Sequence, residues 1–146
     1  GSGRHTLFRS ACTALGLEHH TLDVEVREEN DAFRNGQEAA ARLAAIPGVT
    51  AVLCEDDEFA LGVLSGFADL GLRVPEDRSV IGFDDLPVAA VSYPSLTTMR
   101  QPLYEMGRMA AQMIVSLIDG KDVVCRQIEV PTRLVVRESC RALREG

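Results

Sequence analysis

Two pairs of adjacent carboxylates stand where apolar, strand-like runs end. Asp56 and Asp57 come soon after the run 50–54, and Asp84 and Asp85 directly follow the run 80–83. A carboxylate accepts two or more hydrogen bonds from hydroxyl or amine donors, and it can also hold Mg²⁺. The four acids therefore point to recognition of a polyol or an amine-bearing ring, or to a cation site for phosphoryl transfer.

An acid after a strand has a second use, because it can cap the helix that follows. That use fits Asp57 and Glu58, which lead into a helix-like stretch. Asp84 is followed by Asp85 and then Leu86-Pro87 rather than by a long helix, so no helix is evident for it to cap. We therefore expect Asp84 and Asp56 to contact the ligand.

The elements that would position these acids alternate between strand and helix along the chain. This alternation predicts an α/β fold with a mostly parallel, doubly wound sheet, in which ligands bind beyond the carboxyl ends of the strands. The predicted strands are Thr21 to Val26, Thr50 to Cys54, Val80 to Phe83, Leu96 to Arg100, Cys125 to Val130 and Arg133 to Val136. The predicted helices are Arg4 to Leu15, an alanine-rich helix that ends at Pro47-Gly48, Phe59 to Leu70, and Pro102 to Leu117. The loop before the alanine-rich helix begins at Glu28 and offers three candidate caps, Asn30, Asp31 and Asn35.

Composition excludes two classes of function. The 146 residues are 46% hydrophobic, which suits one globular domain, and no apolar run approaches the ~18 residues of a membrane-spanning helix. The formal net charge is −7, the wrong sign for a chain that holds nucleic acid by itself. Any contact with DNA must therefore be made outside these residues.

The cysteines, histidines and C-terminal arginines suggest no cofactor. Four widely spaced cysteines without a C-x-x-C pair favour reduced thiols in a cytoplasmic protein; they are Cys12, Cys54, Cys125 and Cys140. His5 and the pair His19-His20 lack a further ligand at metal-binding spacing, so we predict no metal site. The last arginines, Arg137, Arg141 and Arg144, are expected to form a solvated end.

Three segments stand out, in this order: DDEFALGVLSGFADLGLRVPEDRSVIGFDD at 56–85, YPSLTTMRQPLYEMGRMA at 93–110 and VPTRLVVRES at 130–139. Together they resemble the effector-binding core of the lac repressor and galactose repressor (LacI/GalR) family of bacterial transcription regulators. The resemblance implies a type I periplasmic-binding-protein-like fold, of which this chain is mostly the C-terminal lobe. It assigns residues 1–95 to that lobe, 96–120 to a strand and helix of the N-terminal lobe, and 121–146 to return strands and a tail.

The resemblance also implies a set of effector-binding residues. Arg4 matches the arginine that binds effector oxygens, although Leu7-Phe8 stands where the family has a Gly-aromatic pair. Asp56 takes the place of an effector-binding Asn, Asp84 matches the effector-binding Asp, and Phe33 lies near the position of an aromatic platform. A face with two acids and one base favours a neutral polyol or nucleoside-like effector over a sugar phosphate.

Family members form homodimers and bind operator DNA through a helix-turn-helix headpiece that these residues do not contain. The resemblance implies that effector binding closes the lobes and shifts the headpieces, and that Leu61, Leu64 and Tyr93 make dimer contacts. It also implies that the helix within Leu96 to Asp119 lacks its N-terminal-lobe partner here, so we expect a swapped or rearranged contact to cover its apolar face.

Two alternatives stay open at this point. A periplasmic sugar-binding protein of a transporter shares the fold, and the four acids could serve a Mg²⁺-dependent phosphoryl-transfer enzyme. The enzyme alternative lacks a G-x-x-x-x-G-K-[ST] or G-x-G-x-x-G phosphate loop, and Lys121 is the chain's single lysine. The sequence therefore favours a regulator that performs no catalysis.

Overall fold

The computed structural model describes residues 3–24, 31–120 and 127–143 of the chain. Within these ranges the chain forms five helices and four strands. The helices are α1 (Gly3–Ala14), α2 (Ala32–Ala44), α3 (Asp57–Asp69), α4 (Pro87–Val91) and α5 (Leu103–Ile118). The strands are β1 (Ala51–Leu53), β2 (Ser79–Asp84), β3 (Thr97–Arg100) and β4 (Arg133–Val135).

The strands form one sheet in the order β1-β2-β3-β4. β1, β2 and β3 run parallel, with Val52 opposite Val80 and Gly82 opposite Thr98, and β4 pairs antiparallel with β3. The apolar run in β2 suits a strand covered by other elements, and Val80 within it is fully buried. The predicted parallel α/β fold is thereby confirmed.

Helix α3 packs between the sheet and helix α2. Its apolar residues recur at helical spacing, so Val63 and Phe67 lie on one face and are both fully buried in the core around Val80 and Leu96. Helix α2 crosses α3 so closely that a Cβ atom at Gly36 or Gly62 would overlap the backbone of the other helix. The two glycines therefore allow α2 to pack closely against the side of α3 that faces away from the sheet.

Three predicted segments differ in the structure. Residues 21–24 carry neither helix nor strand, and the rest of the first predicted strand lies outside the described residues. Phe33, expected in a loop from Glu28 to Gly36, lies in the first turn of α2, because the cap is Asp31, whose carboxylate accepts the Arg34 N–H at 3.0 Å. The strand predicted from Cys125 is absent from 127–130, and residues 121–126 fall outside the described part.

The strand that we assigned to the N-terminal lobe belongs to this sheet. β3 is hydrogen-bonded between β2 and β4, so that expectation is wrong for Thr97 to Arg100, and residue 95 does not mark the edge of the sheet. Helix α5, in contrast, has no buried residue among its 16. Its apolar side chains, among them Leu103, Ile114 and Leu117, are exposed in this structure.

No helix among the described ranges is long and apolar enough to cross a membrane. Cys12, Cys54 and Cys140 carry free thiols, and burial raises the pKa of the Cys54 thiol well above its usual value, with the charges of Asp56 and Asp57 adding to the effect. Cys125 lies outside the described residues. A neutral thiol is the expected state of Cys54 at physiological pH.

The close crossing of α2 and α3 generates a prediction about Gly62. In Gly62→Ala the new methyl group collides with the carbonyl oxygen of Phe33, and overpacking of this kind costs typically about 1–3 kcal/mol. Gly107→Ala in α5 is the matched control, because a Cβ there meets nothing within 4 Å. Urea denaturation should show a loss of stability for Gly62→Ala and a gain of about 0.5–1 kcal/mol for Gly107→Ala. Equal effects would contradict the close crossing.

Candidate functional site

The carboxyl ends of the three parallel strands meet at one edge of the sheet. Asp56 follows β1, Asp84 is the last residue of β2, and Gln101 follows β3. Because the strands are parallel, these positions share the edge at which α/β sheets bind ligands. This edge is the candidate site.

Arg4, near the start of α1, reaches the same edge. Its Nη1 donates to the carbonyl oxygen of Glu55 at 2.8 Å, and its guanidinium lies 3.6 Å from the Glu55 carboxylate. The same guanidinium sits over the Phe83 ring, 4.3 Å from the ring centroid, in a cation–π contact. Arg4 therefore contacts the residue before each candidate acid, since Glu55 precedes Asp56 and Phe83 precedes Asp84.

Asp56 is the N-cap of α3. It has an extended backbone, and its Oδ1 accepts the N–H of Phe59 at 2.7 Å. The expectation that capping falls to Asp57 is therefore wrong, because α3 begins at Asp57 itself, one residue earlier than a cap at Asp57 requires. None of the described residues donates to Asp56 Oδ2, so one carboxylate oxygen remains for a ligand.

Asp84 and Asp85 form a turn in the left-handed region of backbone conformation. Their φ angles are 112° and 58°, values that non-glycine residues rarely adopt and that persist where the surroundings hold them. The Asp84 Oδ1 accepts from Gln101 Nε2 at 2.5 Å. This bond ties the end of β2 to the segment that follows β3 and fixes one oxygen of the partly exposed Asp84 carboxylate.

Asp85 is held by two arginines. Its Oδ2 pairs with Arg100, and its Oδ1 accepts from Arg137 Nη2 at 2.6 Å. Burial alone raises the pKa of the Asp85 carboxyl, but the hydrogen bonds and charges of Arg137 and Arg100 outweigh burial and lower that pKa. Asp85 is therefore ionised, and the two arginines balance its charge. Both of its carboxylate oxygens are already paired and are not available to a ligand.

The expectation of a solvated C-terminal end is wrong for the two arginines that the structure describes. Arg137 is 16% exposed and also donates to the Leu96 carbonyl at 2.8 Å. Arg141 donates to the carbonyl oxygens of Pro75 and Glu76. Arg144 lies outside the described residues. Both described arginines fasten the C-terminal segment onto the lobe.

Asp57 is fully buried and lies beside Gly82 of β2. Its Oδ1 accepts from Thr98 Oγ1 at 2.5 Å, and its Oδ2 accepts from the Leu86 N–H at 2.7 Å. A Cβ at Gly82 would overlap Asp57 Oδ1, so only glycine leaves room for this carboxylate. Burial raises the pKa of Asp57, the bonds from Thr98 and Leu86 partly offset this, and the nearby charges of Asp84 and Asp85 add to it.

Phe33 stands apart from the other three predicted site residues. Its ring is partly exposed, and its backbone carbonyl lies against Gly62 of α3. No hydrogen bond or ring contact joins Phe33 to Arg4, Asp56 or Asp84 within 3–24, 31–120 and 127–143. Asp56, Asp84 and the contacts of Arg4 therefore lie at the carboxyl edge of the sheet, and Phe33 lies in the first turn of α2.

The arrangement suits binding of hydroxyl groups. Asp56 and Asp84 each offer a carboxylate oxygen as an acceptor, and Arg4 offers donors. In the described part of the chain, no group of three or more His, Cys, Asp or Glu side chains is arranged to hold a metal ion. His5 and His20 contact Thr21 and Glu18 respectively, in keeping with surface roles.

Sequence reasoning missed four residues that shape this edge. Gln101, Arg100 and Arg137 hold the two acids of the turn, and Thr98 holds Asp57. Arg100 ends a predicted strand and Gln101 follows it, while the neighbouring predicted strand is followed by Asp84-Asp85, so their pairing could have been inferred from parallel register. Arg137 is 52 residues from Asp85, and no local signal connects them.

Comparison with known proteins identifies the family to which the chain belongs. A family model described as a periplasmic binding protein-like domain matches residues 1–140. The regulator MalR of Streptomyces coelicolor is 37% identical over 131 residues, which cover 90% of this chain and 38% of MalR. The chain belongs to the LacI/GalR family of transcriptional regulators. It comprises part of the effector-binding core of that family.

Solved structures of LacI-family regulators show the same fold. One from Arthrobacter sp. FB24 in complex with lactose has a TM-score of 0.84 and 32% identity, covering 97% of this chain and 52% of that one. One from Enterococcus faecium with bound ribose has a TM-score of 0.75 and 27% identity, covering 94% and 50%. The chain thus spans about half of these structures and less than two fifths of MalR.

Membership of this family sets aside the phosphoryl-transfer alternative. LacI-family members are regulators rather than enzymes. In keeping with that, three acids of this edge have structural roles: Asp56 caps a helix, Asp57 is buried, and Asp85 is paired.

The ion pairs of Asp85 generate a pH prediction. Because the folded-state pKa is lowered, the stability that Asp85 contributes is present above its unfolded pKa of about 3.9 and is lost as pH falls through the folded value. Asp85→Asn should therefore lower the free energy of unfolding by about 1–3 kcal/mol at pH 7, since it weakens the bond to the largely buried Arg137. Denaturation at a series of pH values should show the difference shrinking below about pH 4.

Asp77→Asn is the matched control for this prediction. Arg73 lowers the pKa of Asp77 to about 2, but this pair is exposed and its arginine is 71% accessible. Solvent screening reduces the value of such pairs, so the loss at pH 7 should be smaller than for Asp85→Asn. A difference that grows as pH falls would contradict the assignment of Asp85.

Proposed function

We propose that this chain is the ligand-sensing part of a bacterial transcriptional regulator, and that it binds a small neutral polyol, such as a sugar or nucleoside, at the carboxyl edge of the sheet. The observation that carries the proposal is the charge distribution at this edge. Arg4 faces Glu55, and Arg100 and Arg137 both face Asp85, so each nearby arginine already meets a carboxylate. A phosphate group at this edge would meet arginines whose charge is already balanced and the negative charges of Asp56 and Asp84, so its binding would be disfavoured.

The proposed contacts follow from what remains open. Asp84 and Asp56 accept hydrogen bonds from effector hydroxyl groups, and Arg4 donates to effector oxygens. Phe33 offers an aromatic surface from the start of α2. The lactose and ribose bound to the structural relatives support a neutral sugar, because neither carries a charge.

The proposed mechanism is ligand-linked switching without chemistry. The effector favours the closed arrangement of two lobes and so changes operator binding by a helix-turn-helix headpiece in the whole protein, by no more than its differential affinity for the two states. The similarity to MalR, an HTH-type transcriptional regulator, supports this role and a cytoplasmic location. The same relatives favour regulation over the transport alternative.

The whole protein is proposed to act as a homodimer through α3 and the segment after α4. Tyr93 supports this, because it is 97% exposed and Val91, two residues before it, is also exposed. Leu61 packs partly against the core, and Leu64 is buried within it, so Tyr93 offers the largest free surface of the three. Tyr93 is therefore the residue with which to test the interface.

A ligand panel tests the effector proposal. Calorimetry on the full-length protein should detect binding of neutral sugars such as ribose or lactose, and no binding of ribose 5-phosphate. Asp84→Ala should weaken sugar binding at least about tenfold, since hydrogen bonds to charged groups contribute about 1.5–3 kcal/mol. Asp77→Ala is the control, because Asp77 precedes β2 and lies away from the carboxyl edge. Binding of phosphorylated sugars alone would contradict the proposal of a neutral effector.

Sedimentation of the full-length protein tests the dimer. Tyr93→Glu should raise the dimer dissociation constant at least about tenfold, because it places a charge in an apolar contact. Tyr93→Phe keeps the ring and should sediment as the wild type does. A monomeric wild type, or an unaltered dimer in Tyr93→Glu, would rule out this interface.

A further inference from the structure

We infer that Asp57 is a positioning residue, which touches no effector but holds the Asp84–Leu86 turn in its binding conformation. The inference rests on the proposed function, because it assigns effector binding to Asp84. It concerns the one acid of the two pairs that is wholly inaccessible to a ligand.

The first argument is that the Asp57 carboxylate joins three elements. It starts from the first residue of α3, accepts from Thr98 Oγ1 in β3, and accepts from the N–H of Leu86 directly after the turn. Thr98 lies opposite Gly82 in the parallel register, and Gly82 is the residue beside which the carboxylate sits. The Asp57 carboxylate therefore contacts β2 and β3 at paired positions of the sheet and holds the first turn of α3 against both strands.

The second argument is that the turn needs support from outside. Asp84 and Asp85 both have positive φ angles, which L-residues adopt at a cost in free energy. Arg137 and Arg100 hold the turn through the Asp85 side chain, and Thr98 Oγ1 also accepts from the Asp85 N–H at 3.4 Å. Asp57 holds the other end through Leu86. Without Asp57, the far end of the turn loses its only described hydrogen bond to a carboxylate.

The third argument concerns what Asp57 does not do. A buried carboxylate without a cation is costly, and its pKa is raised by that burial. It does not cap α3, since Asp56 does so. Both of its oxygens are occupied by donors that belong to the turn and to the neighbouring strand, so holding these groups is the function that the geometry leaves for it.

The test compares three variants of the full-length protein. Asp57→Ala removes both hydrogen bonds, so hydrogen exchange at the Leu86 amide should accelerate at least about tenfold and ribose or lactose binding should weaken at least about tenfold. Asp57→Asn can present its oxygen to Leu86 and its amide to Thr98 Oγ1, so it should restore both measurements to within about threefold of wild type. Val63→Ala empties a fully buried core position on the same helix and is the control for lost stability.

The outcomes separate positioning from general destabilisation. Val63→Ala should lower the unfolding midpoint yet leave Leu86 exchange and sugar affinity within about threefold of wild type, measured where every variant is folded. Unchanged Leu86 exchange in Asp57→Ala, or faster exchange with unaltered sugar binding, overturns the inference.

A wild type that binds neither sugar would count against the proposed function rather than against Asp57. In that case the positioning role is judged on the unliganded protein. Faster Leu86 exchange together with a shifted Gln101 side-chain amide resonance in Asp57→Ala supports it, since that amide bonds Asp84. Two unaltered signals refute it.

Discussion

The buried carboxylate of Asp57 connects the core of this lobe to its binding edge. Through Thr98 and the Leu86 N–H it fastens α3 to β3 and to the turn after β2, and it fits because Gly82 has no side chain. The turn that it holds displays Asp84, whose position is set from the other side by Gln101. Placement of a surface acceptor for a ligand thus depends on a group that no ligand can reach.

The packing beneath this contact explains why α3 can serve as its anchor. Val63 and Phe67 are buried in the core with Val80 of β2, and α2 covers the other side through the close approaches at Gly36 and Gly62. A helix packed on both sides moves little, so the hydrogen bonds that its first turn makes keep their geometry. The apolar side chains of α5 and the side chain of Tyr93, in contrast, are exposed in this chain.

The sequence predicted the elements whose signals are local. The apolar runs of β1, β2 and β3 and the helical spacing in α3 and α5 led to the right strands and helices, because burial and periodicity follow directly from composition. The prediction was wrong where the partners are distant in sequence. Arg137 was expected to be solvated, but it pairs with Asp85, which is 52 positions away in the chain. The sequence analysis also assigned the helix cap to Asp57 rather than to Asp56. Either acid can cap a helix, and only the starting residue of α3 decides which one does.

A crystal structure of the full-length protein with the neutral sugar that binds it tests the central claim most directly. The account predicts sugar hydroxyl groups within about 2.7–3.2 Å of the Asp84 carboxylate and the Arg4 guanidinium, with Asp57 still buried and bonded to Leu86 and Thr98. A sugar bound away from the carboxyl edge, or in direct contact with Asp57, would contradict it.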